Sequence, residues 1–334
     1  MDSEALATVE AGVHHGSRDD PEVVDFSANT NPRVPEGVAG VYGGALAAAG
    51  SYPDDGYPEY RRAAAAAVDC APEDIVPTPG GLAAIRLAVA AAVSPGDTAL
   101  VAAPSFAEYA REVRLQGGDP VFRAHDEVLD ADPAGHALAV VCTPNNPTGE
   151  AYTPERLRDF ADRCHAAGTV LLVDEAFLGF TDRPSLAGHE GVVVARSLTK
   201  LYGLPGLRAG YAAATGELGD RLATGRPTWA LGTPAAAVGA HCMRQRAFVA
   251  ATRERVRAER SRLRDRLSAR FEVYPSDAPF LLLAVPDVEA VQQAVRAAGI
   301  AVRDARTFRG LDSHVRVAVR TPGENSRLLE ALDV

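Results

Sequence analysis

Lysine is almost missing from this chain of 334 residues. Lys200 is the only one, and the other 33 of the 34 basic residues are arginine. A P-loop, which needs a Gly-Lys pair, is therefore excluded. A compositional bias of the genome or a salt-adapted proteome can remove lysine without any bearing on chemistry. Arginine, however, cannot form a Schiff base with an aldehyde, so a single retained lysine is a candidate for that chemistry.

Cysteine and long apolar runs are also scarce. The four cysteines stand singly, without a C-x-x-C pair, which excludes a zinc knuckle and a dithiol redox motif and favours buried free thiols. No apolar run reaches the roughly 18 to 20 residues of a membrane span, and residues 1–20 are acidic and polar, unlike a secretory leader. The net charge of −10 argues against contacts with nucleic-acid phosphates. We expect a cytoplasmic protein that binds neither membrane nor nucleic acid.

The chain is long enough for two domains, and 47% of its residues are hydrophobic. Short apolar runs alternate with helical patterns, which predicts an α/β fold with a mostly parallel sheet. The predicted strands are Thr98–Ala103, Ala137–Thr143, Thr169–Val173, Val192–Ser197 and Ala209–Ala214, and helices are predicted over Leu82–Ala92 and Pro154–Ala167.

The C-terminal third has a different pattern. A long helical pattern from Thr233 to Arg270 predicts a helix that bridges two lobes. Strand patterns follow over Phe271–Val285 and His314–Val319, with helical patterns over Val288–Ala298 and Glu324–Leu332. We predict a loop-rich N-terminal arm over 1–50 that joins the small domain, a large domain over 51–240, and a small α+β domain with the bridging helix over 241–334.

Three polar segments follow predicted strands of the large domain. Asp174 comes directly after one strand, the loop 143–149 after another, and Lys200 after a third, with Ser197, Thr199 and Arg208 close to it. The carboxyl ends of parallel strands share one edge of a sheet, so these side chains should converge. An amine, hydroxyls, a guanidinium and a carboxylate together suit a phosphorylated aldehyde with a protonated ring nitrogen. Each segment alone is also compatible with a polar turn or a helix cap.

With these segments the chain resembles the fold type I, pyridoxal-phosphate-dependent class I/II aminotransferase family. The matching motifs are Asn145-Asn146-Pro147-Thr148-Gly149, Asp174-Glu175-Ala176-Phe177, and Ser197-Leu198-Thr199-Lys200 with Arg208 eight positions further on. The resemblance implies a large domain with a mostly parallel, seven-stranded sheet and a smaller α+β C-terminal domain. It also implies pyridoxal 5'-phosphate as cofactor, a homodimer, and no metal.

The same resemblance implies roles for individual residues. Lys200 would be the Schiff-base lysine and Asp174 the partner of the pyridine nitrogen, and both would be catalytic. The other implied cofactor-binding residues are Gly80, Gly81, Leu82, Phe106, Asn146, Ser197, Thr199, Arg208 and Tyr52 of the partner subunit. The implied substrate-binding residues are Arg316, which would clamp a carboxylate, and Arg320, His15 and Asn31.

Within the family, the chain most resembles the L-threonine O-3-phosphate decarboxylases of cobalamin biosynthesis, which are related to the histidinol-phosphate aminotransferases. Phe177 carries this resemblance, because aminotransferases of the group have tyrosine there, and so do the segments 25–32 and His15-Gly16. The implied reaction is decarboxylation of L-threonine O-3-phosphate to (R)-1-amino-2-propanol phosphate. The alternatives are a histidinol-phosphate aminotransferase or another class I/II aminotransferase. A cofactor-binding sensory domain of a DNA-binding protein is a further alternative, but the acidic net charge argues against it.

Overall fold

The computed structural model describes residues 1–10, 12, 20 and 22–334. The helices are α1 Ser3–Thr8, α2 Val38–Ala47, α3 Pro58–Val68, α4 Gly81–Ala92, α5 Glu108–Leu115, α6 Pro154–Ala167, α7 Leu198–Leu201, α8 Gly216–Gly225, α9 Thr233–Met243, α10 Arg246–Leu267, α11 Val288–Ala297 and α12 Pro322–Ala331. The strands are β1 Val24–Asp25, β2 Ile75–Thr78, β3 Thr98–Ala103, β4 Asp119–Ala124, β5 Leu138–Cys142, β6 Val170–Asp174, β7 Val192–Ser197, β8 Gly210–Ala213, β9 Glu272–Val273, β10 Phe280–Ala284, β11 Ile300–Ala301, β12 Arg303–Asp304 and β13 His314–Ala318.

A seven-stranded sheet forms the centre of the molecule, in the order β2-β8-β7-β6-β5-β3-β4. The pairs between β4 and β7 are parallel, and β8 is antiparallel to both of its neighbours. The interior strand β5 is buried along its whole length, as expected for a strand with helices on both faces. The predicted α/β fold with a mostly parallel sheet and a smaller C-terminal sheet is confirmed.

The smaller sheet is antiparallel, in the order β12-β13-β10-β9. A separate parallel pair joins β1 to β11, with Val24 opposite Ile300. The N-terminal segment is thus hydrogen-bonded to the C-terminal part of the chain, beside the strand that carries Arg316. The boundaries proposed near residues 50 and 240 stay predictions.

The structure differs from the predicted pattern in three places. The helical pattern from Thr233 onward is divided into α9 and α10. The stretch that starts at Phe271 contains two strands, β9 and β10, separated by a loop with two prolines, which cannot donate ladder hydrogen bonds. The N-terminal arm contains α2, although its glycines disfavour a helix, because α2 packs against α9.

The described residues contain neither a helix that could span a membrane nor a cluster of metal-binding side chains. In that part of the chain no helix is both long enough and apolar enough to cross a membrane. The same residues contain no group of three or more His, Cys, Asp or Glu side chains that could hold a metal ion.

Candidate active site

A cavity of about 550 Å³ lies at the carboxyl edge of the large sheet, where it faces the small sheet. Asp174 reaches it from the end of β6, Asn146 from the loop after β5, and Lys200 from α7. Phe106 reaches it from the segment before α5, and Arg316 comes from β13 on the opposite side. The fold therefore brings together residues that are up to 210 positions apart in sequence.

Lys200 is half-buried and presents its amine to this cavity. Its side chain forms no hydrogen bond or ion pair with any of the described residues. Burial is the main cause that lowers the pKa of Lys200 to about 8; the charge of Arg316 lowers it further and that of Asp174 opposes the shift. A substantial fraction of the amine is neutral near physiological pH, which is the form that attacks a carbonyl.

Asp174 is buried and held by two donors. The Tyr109 hydroxyl donates to Asp174 Oδ2 at 2.6 Å, and the backbone N–H of Ala176 donates to Oδ1 at 2.9 Å. Burial raises the pKa of Asp174, and the two hydrogen bonds oppose that shift. A buried carboxylate in this position is suited to a cationic partner such as a protonated ring nitrogen.

A group of donors suitable for a phosphate lies between α4 and the loop after α7. Ser197 Oγ lies 2.7 Å from Thr199 Oγ1, and the Arg208 guanidinium lies beside Gly80. A Cβ on Gly80, whose φ is +98°, would lie 2.8 Å from Arg208 Nη2, so a side chain there would strain the backbone and displace the Arg208 guanidinium. Gly81 and Leu82 begin α4, where backbone N–H groups and the helix dipole favour an anion.

Arg316 closes the cavity from the small sheet. It donates to the Ser27 carbonyl at 2.8 Å and to Asn146 Oδ1, and it lies over the rings of Phe280 and Phe308. Burial lowers the pKa of Arg316 to about 9. No carboxylate among the described residues forms an ion pair with it, so a bound anion would supply the missing charge.

Other predicted site residues lie elsewhere. Asn31 and Arg320 do not line the cavity. Asn31 instead accepts from Arg255 and donates to the Leu201 carbonyl, and Arg320 pairs with Glu324. Their predicted contact with substrate therefore finds no support in this geometry.

Tyr52 and His15 are the remaining two predicted residues. Tyr52 is 77% exposed and stacks on Trp229, with 4.2 Å between the ring centroids. Its approach to a partner's cofactor stays a prediction. His15 lies outside the described residues.

Two further residues, Tyr109 behind Asp174 and Arg303 in the cavity wall, were not predicted from the sequence. Tyr109 lies three positions after Phe106, on the same side of the helix start, and this spacing was a usable signal. Arg303 lines the cavity and lies opposite Arg316 in the register of β12 and β13. Nothing in the sequence shows that pairing before the hairpin register is known.

The sequence of the chain matches the family model for aminotransferase class I and II over residues 43–332. The chain belongs to this family. Its sequence is 31% identical to that of the histidinol-phosphate aminotransferase of Halobacterium salinarum over 340 aligned positions, which cover 95% of this chain and 92% of the relative. It is equally identical, over 303 positions, to a provisionally named threonine-phosphate decarboxylase of Caldanaerobacter subterraneus, with 84% and 82% covered.

A solved family structure supports the fold. The L-threonine-O-3-phosphate decarboxylase of Porphyromonas gingivalis superposes with a TM-score of 0.85 at 24% identity, covering 93% of this chain and 98% of that one. The predicted membership in the aminotransferase family is confirmed. Among the relatives, histidinol-phosphate aminotransferases are more frequent than decarboxylases, so the comparisons favour the predicted alternative, an aminotransferase, over the preferred decarboxylase.

Proposed function

We propose that this protein is a pyridoxal-phosphate-dependent aminotransferase whose amino donor is a small phosphorylated amine of the histidinol phosphate class. The observation that carries the proposal is the amine of Lys200, which has no partner among the described residues, in one cavity with Asp174 and Arg316. The names of most relatives support transamination over other reactions of the family.

The residues present fit the cofactor. The proposed phosphate contacts are Ser197, Thr199, Arg208 and the first turn of α4, which follows Gly80, where a side chain would displace the Arg208 guanidinium. Asp174 would face the ring nitrogen, and Phe106 would lie against the ring. When bound, pyridoxal phosphate supplies an aldehyde that an amine can attack and a ring that accepts an electron pair from the substrate's α carbon.

The chain's own contribution to the reaction is proton transfer and orientation. Lys200 Nζ, with a lowered pKa, would take the proton from the substrate's α carbon as a general base. Tyr109 and the Ala176 N–H hold the Asp174 carboxylate in a fixed orientation. Asn146, which contacts Arg316, would donate its amide N–H to the phenolic oxygen of the cofactor.

Two guanidinium groups in the cavity favour a phosphorylated substrate over an unphosphorylated one. Arg303 and Arg316 are neighbours across the β12–β13 pair, and both line the cavity. Arg303 Nη2 donates to Thr307 Oγ1 at 2.9 Å, which holds the side chain at the cavity wall. Planar guanidinium groups bind phosphate oxygens through paired, charge-assisted hydrogen bonds.

A second candidate, decarboxylation of L-threonine O-3-phosphate, is favoured by one residue. Phe177 lines the cavity, is 4% exposed, and packs edge-to-face on Phe280 with 5.1 Å between centroids. It has no hydroxyl to donate to a cofactor oxygen, whereas the aminotransferases resembled here have tyrosine. On this substrate, Arg316 and Arg303 would hold the carboxylate and the phosphate separately.

The two candidates differ in products. In one assay the holoenzyme receives histidinol phosphate and a panel of 2-oxo acids, and amino acid formation is measured. In the other it receives L-threonine O-3-phosphate without an oxo acid, and CO₂ and aminopropanol phosphate are measured. Amino transfer in the first assay alone supports the proposal. Turnover in the second assay alone replaces it with the decarboxylase, and turnover in neither rejects both.

A homodimer is part of the proposal. The exposed, stacked pair of Tyr52 and Trp229 offers an apolar surface beside α3, and a second copy of the chain would cover it. Sedimentation of the holoenzyme should therefore give twice the mass of the 35.0 kDa chain, and a monomer at assay concentration would reject a site shared between subunits.

A further inference from the structure

A second and larger cavity, of about 860 Å³, lies behind the candidate active site. Its walls come from α3, from the segment 176–189, from the start of α10, and from the back of the β7–α7 segment. Lys200, Asp174 and Arg316 do not line it, and it shares only the small residue Ala176 with the first cavity. Its wall also contains Ser197, one of the residues proposed above to bind the cofactor phosphate, so the two cavities are distinct but adjacent.

Three polar side chains of this cavity, two of them buried, have donor atoms without a hydrogen-bond partner among the described residues. Tyr202 is 7% exposed and Tyr211 is 3% exposed, and neither hydroxyl bonds to any residue that the structure describes. Arg196 Nε lies 2.9 Å from Glu175 Oε2, but within the described residues its two Nη atoms have no hydrogen-bond partner. Donors of buried residues are usually satisfied, so two buried tyrosines and a half-buried arginine with unused donors at one cavity indicate a ligand.

These groups are suited to an oxyanion. Burial raises the pKa of Tyr202 to about 12 and that of Tyr211 further, so both hydroxyls stay protonated and can donate. The guanidinium of Arg196 adds a positive charge and two further donating nitrogens. Two phenol hydroxyls and a guanidinium can therefore all donate to an anion with several acceptor oxygens.

The charge around the cavity has the same sign. Arg246, at its edge, forms no ion pair with any described residue, whereas Arg62 and Arg244 share Glu59, and Arg253 pairs with Asp182. Asp69 is the acidic residue that lines the cavity among the described residues. A positive cavity in a chain of net charge −10 concentrates anions locally.

We propose that this cavity is a second binding site, for a small phosphorylated metabolite. Its phosphate group accepts hydrogen bonds from Arg196, Tyr202 and Tyr211. Its organic part packs against the apolar wall formed by Ala63, Ala66 and Val249. The volume lies in the range of small-molecule sites, and it exceeds what a bare phosphate needs.

Binding of AMP and of inorganic phosphate to the holoenzyme, measured by calorimetry, tests the proposal. The holoenzyme is used because the cofactor then fills its own phosphate-binding residues. The double variant Tyr202→Phe/Tyr211→Phe removes two hydroxyls that have no protein partner, so the fold should be kept. We expect AMP affinity to fall about tenfold in this variant, as for two lost hydrogen bonds, and to fall in Arg246→Ala.

Two matched variants serve as controls. Tyr42→Phe and Arg114→Ala remove a phenol hydroxyl and an exposed arginine outside this cavity, and both should bind AMP like the wild type. Absence of saturable binding of both probes overturns the proposal. So does binding that the cavity variants leave unchanged, and so does equal affinity for the dicarboxylate malonate, which would remove the preference for phosphate.

Discussion

The two cavities lie on opposite sides of the segments that carry Asp174 and Lys200, and neither of these two side chains lines the larger one. In the smaller cavity the polar groups come from distant parts of the chain, and protein contacts hold Asp174 and Arg316 in place. In the larger one most of the arginines pair with surface carboxylates, and the unused donors belong to Tyr202, Tyr211 and Arg196. Volume alone therefore does not locate the chemistry.

The comparison also separates two uses of positive charge. In the smaller cavity, burial and neighbouring guanidinium groups act on an amine, and they lower the pKa of Lys200 to about 8. In the larger cavity the charge belongs to arginines, which stay protonated and can only bind. If this distinction holds, variants of the smaller cavity change reaction rates, and variants of the larger one change ligand affinity.

The largest effect is expected for Lys200→Ala. Without the only lysine, the visible absorption of the bound cofactor should be lost, and turnover should fall by about a thousandfold or more, since the general base is gone. Lys200→Arg keeps the positive charge and should be equally inactive. An active Lys200→Arg enzyme would show that the charge, and not the amine, matters here.

Arg303→Gln should weaken selection for a phosphorylated substrate. We expect kcat/KM for the phosphorylated amine to fall by about a hundredfold, as for a lost charged contact, with little change for the same amine without phosphate. Arg309→Gln is the matched control, because Arg309 packs on Phe122 outside the cavity. Equal losses on both substrates would assign Arg303 a structural role.

A smaller effect is expected for Tyr109→Phe, which removes the donor to Asp174 Oδ2. We expect kcat to fall by roughly tenfold and KM to change little, because the hydrogen bond orients a catalytic carboxylate. The cofactor spectrum should also change its pH dependence. Tyr152→Phe removes a buried hydroxyl that bonds to His125 instead, and it should leave both readouts unchanged.

The pH dependence of Lys200 labelling tests the pKa directly. A lysine whose pKa is lowered to about 8 is neutral above that pH, whereas an ordinary lysine is neutral only above 10.5. Acylation of the apoenzyme at Lys200, followed by mass spectrometry, should therefore be half-maximal near pH 8. After denaturation the midpoint should rise by about two pH units. A labelling midpoint near pH 10.5 in the folded protein would contradict the lowered pKa of Lys200.

The smallest effect on catalysis is expected for a variant that tests the loop after Lys200. Gly203 has φ +68°, and a Cβ there would lie 2.5 Å from the Arg33 carbonyl oxygen. Gly203→Ala should lower the free energy of unfolding by about 1 to 3 kcal/mol in urea titrations. Gly206→Ala, in the same loop with no atom near its Cβ, should have little effect. Equal free energies of unfolding for the two variants would show that a side chain at position 203 causes no strain.

Elements that are determined by short, contiguous sequence patterns could be predicted from the sequence. Continuous apolar runs located β3 and β7 to the residue, and the polar loops after the strands located Lys200, Asp174 and Asn146. The convergence of those loops follows from the rule that parallel strands end at one edge. These features needed no knowledge of distant contacts.

The features that escaped prediction depend on tertiary contacts. Arg303 reaches the cavity because it pairs with Arg316 across a hairpin, and the register of that hairpin is set by packing. Asn31 was predicted to contact substrate, but it donates to the Leu201 carbonyl. The α2 helix exists because of its contact with α9, against its own glycine content.

The central claim is that Lys200 binds the cofactor covalently, and borohydride reduction of the holoenzyme tests it most directly. Because the chain has one lysine, the reduced adduct can form at one side chain only, apart from the chain's terminal amine. Peptide mass spectrometry should find the pyridoxyl group on Lys200, with nearly complete occupancy. An unmodified Lys200 peptide from a protein that retains cofactor absorption would contradict the account.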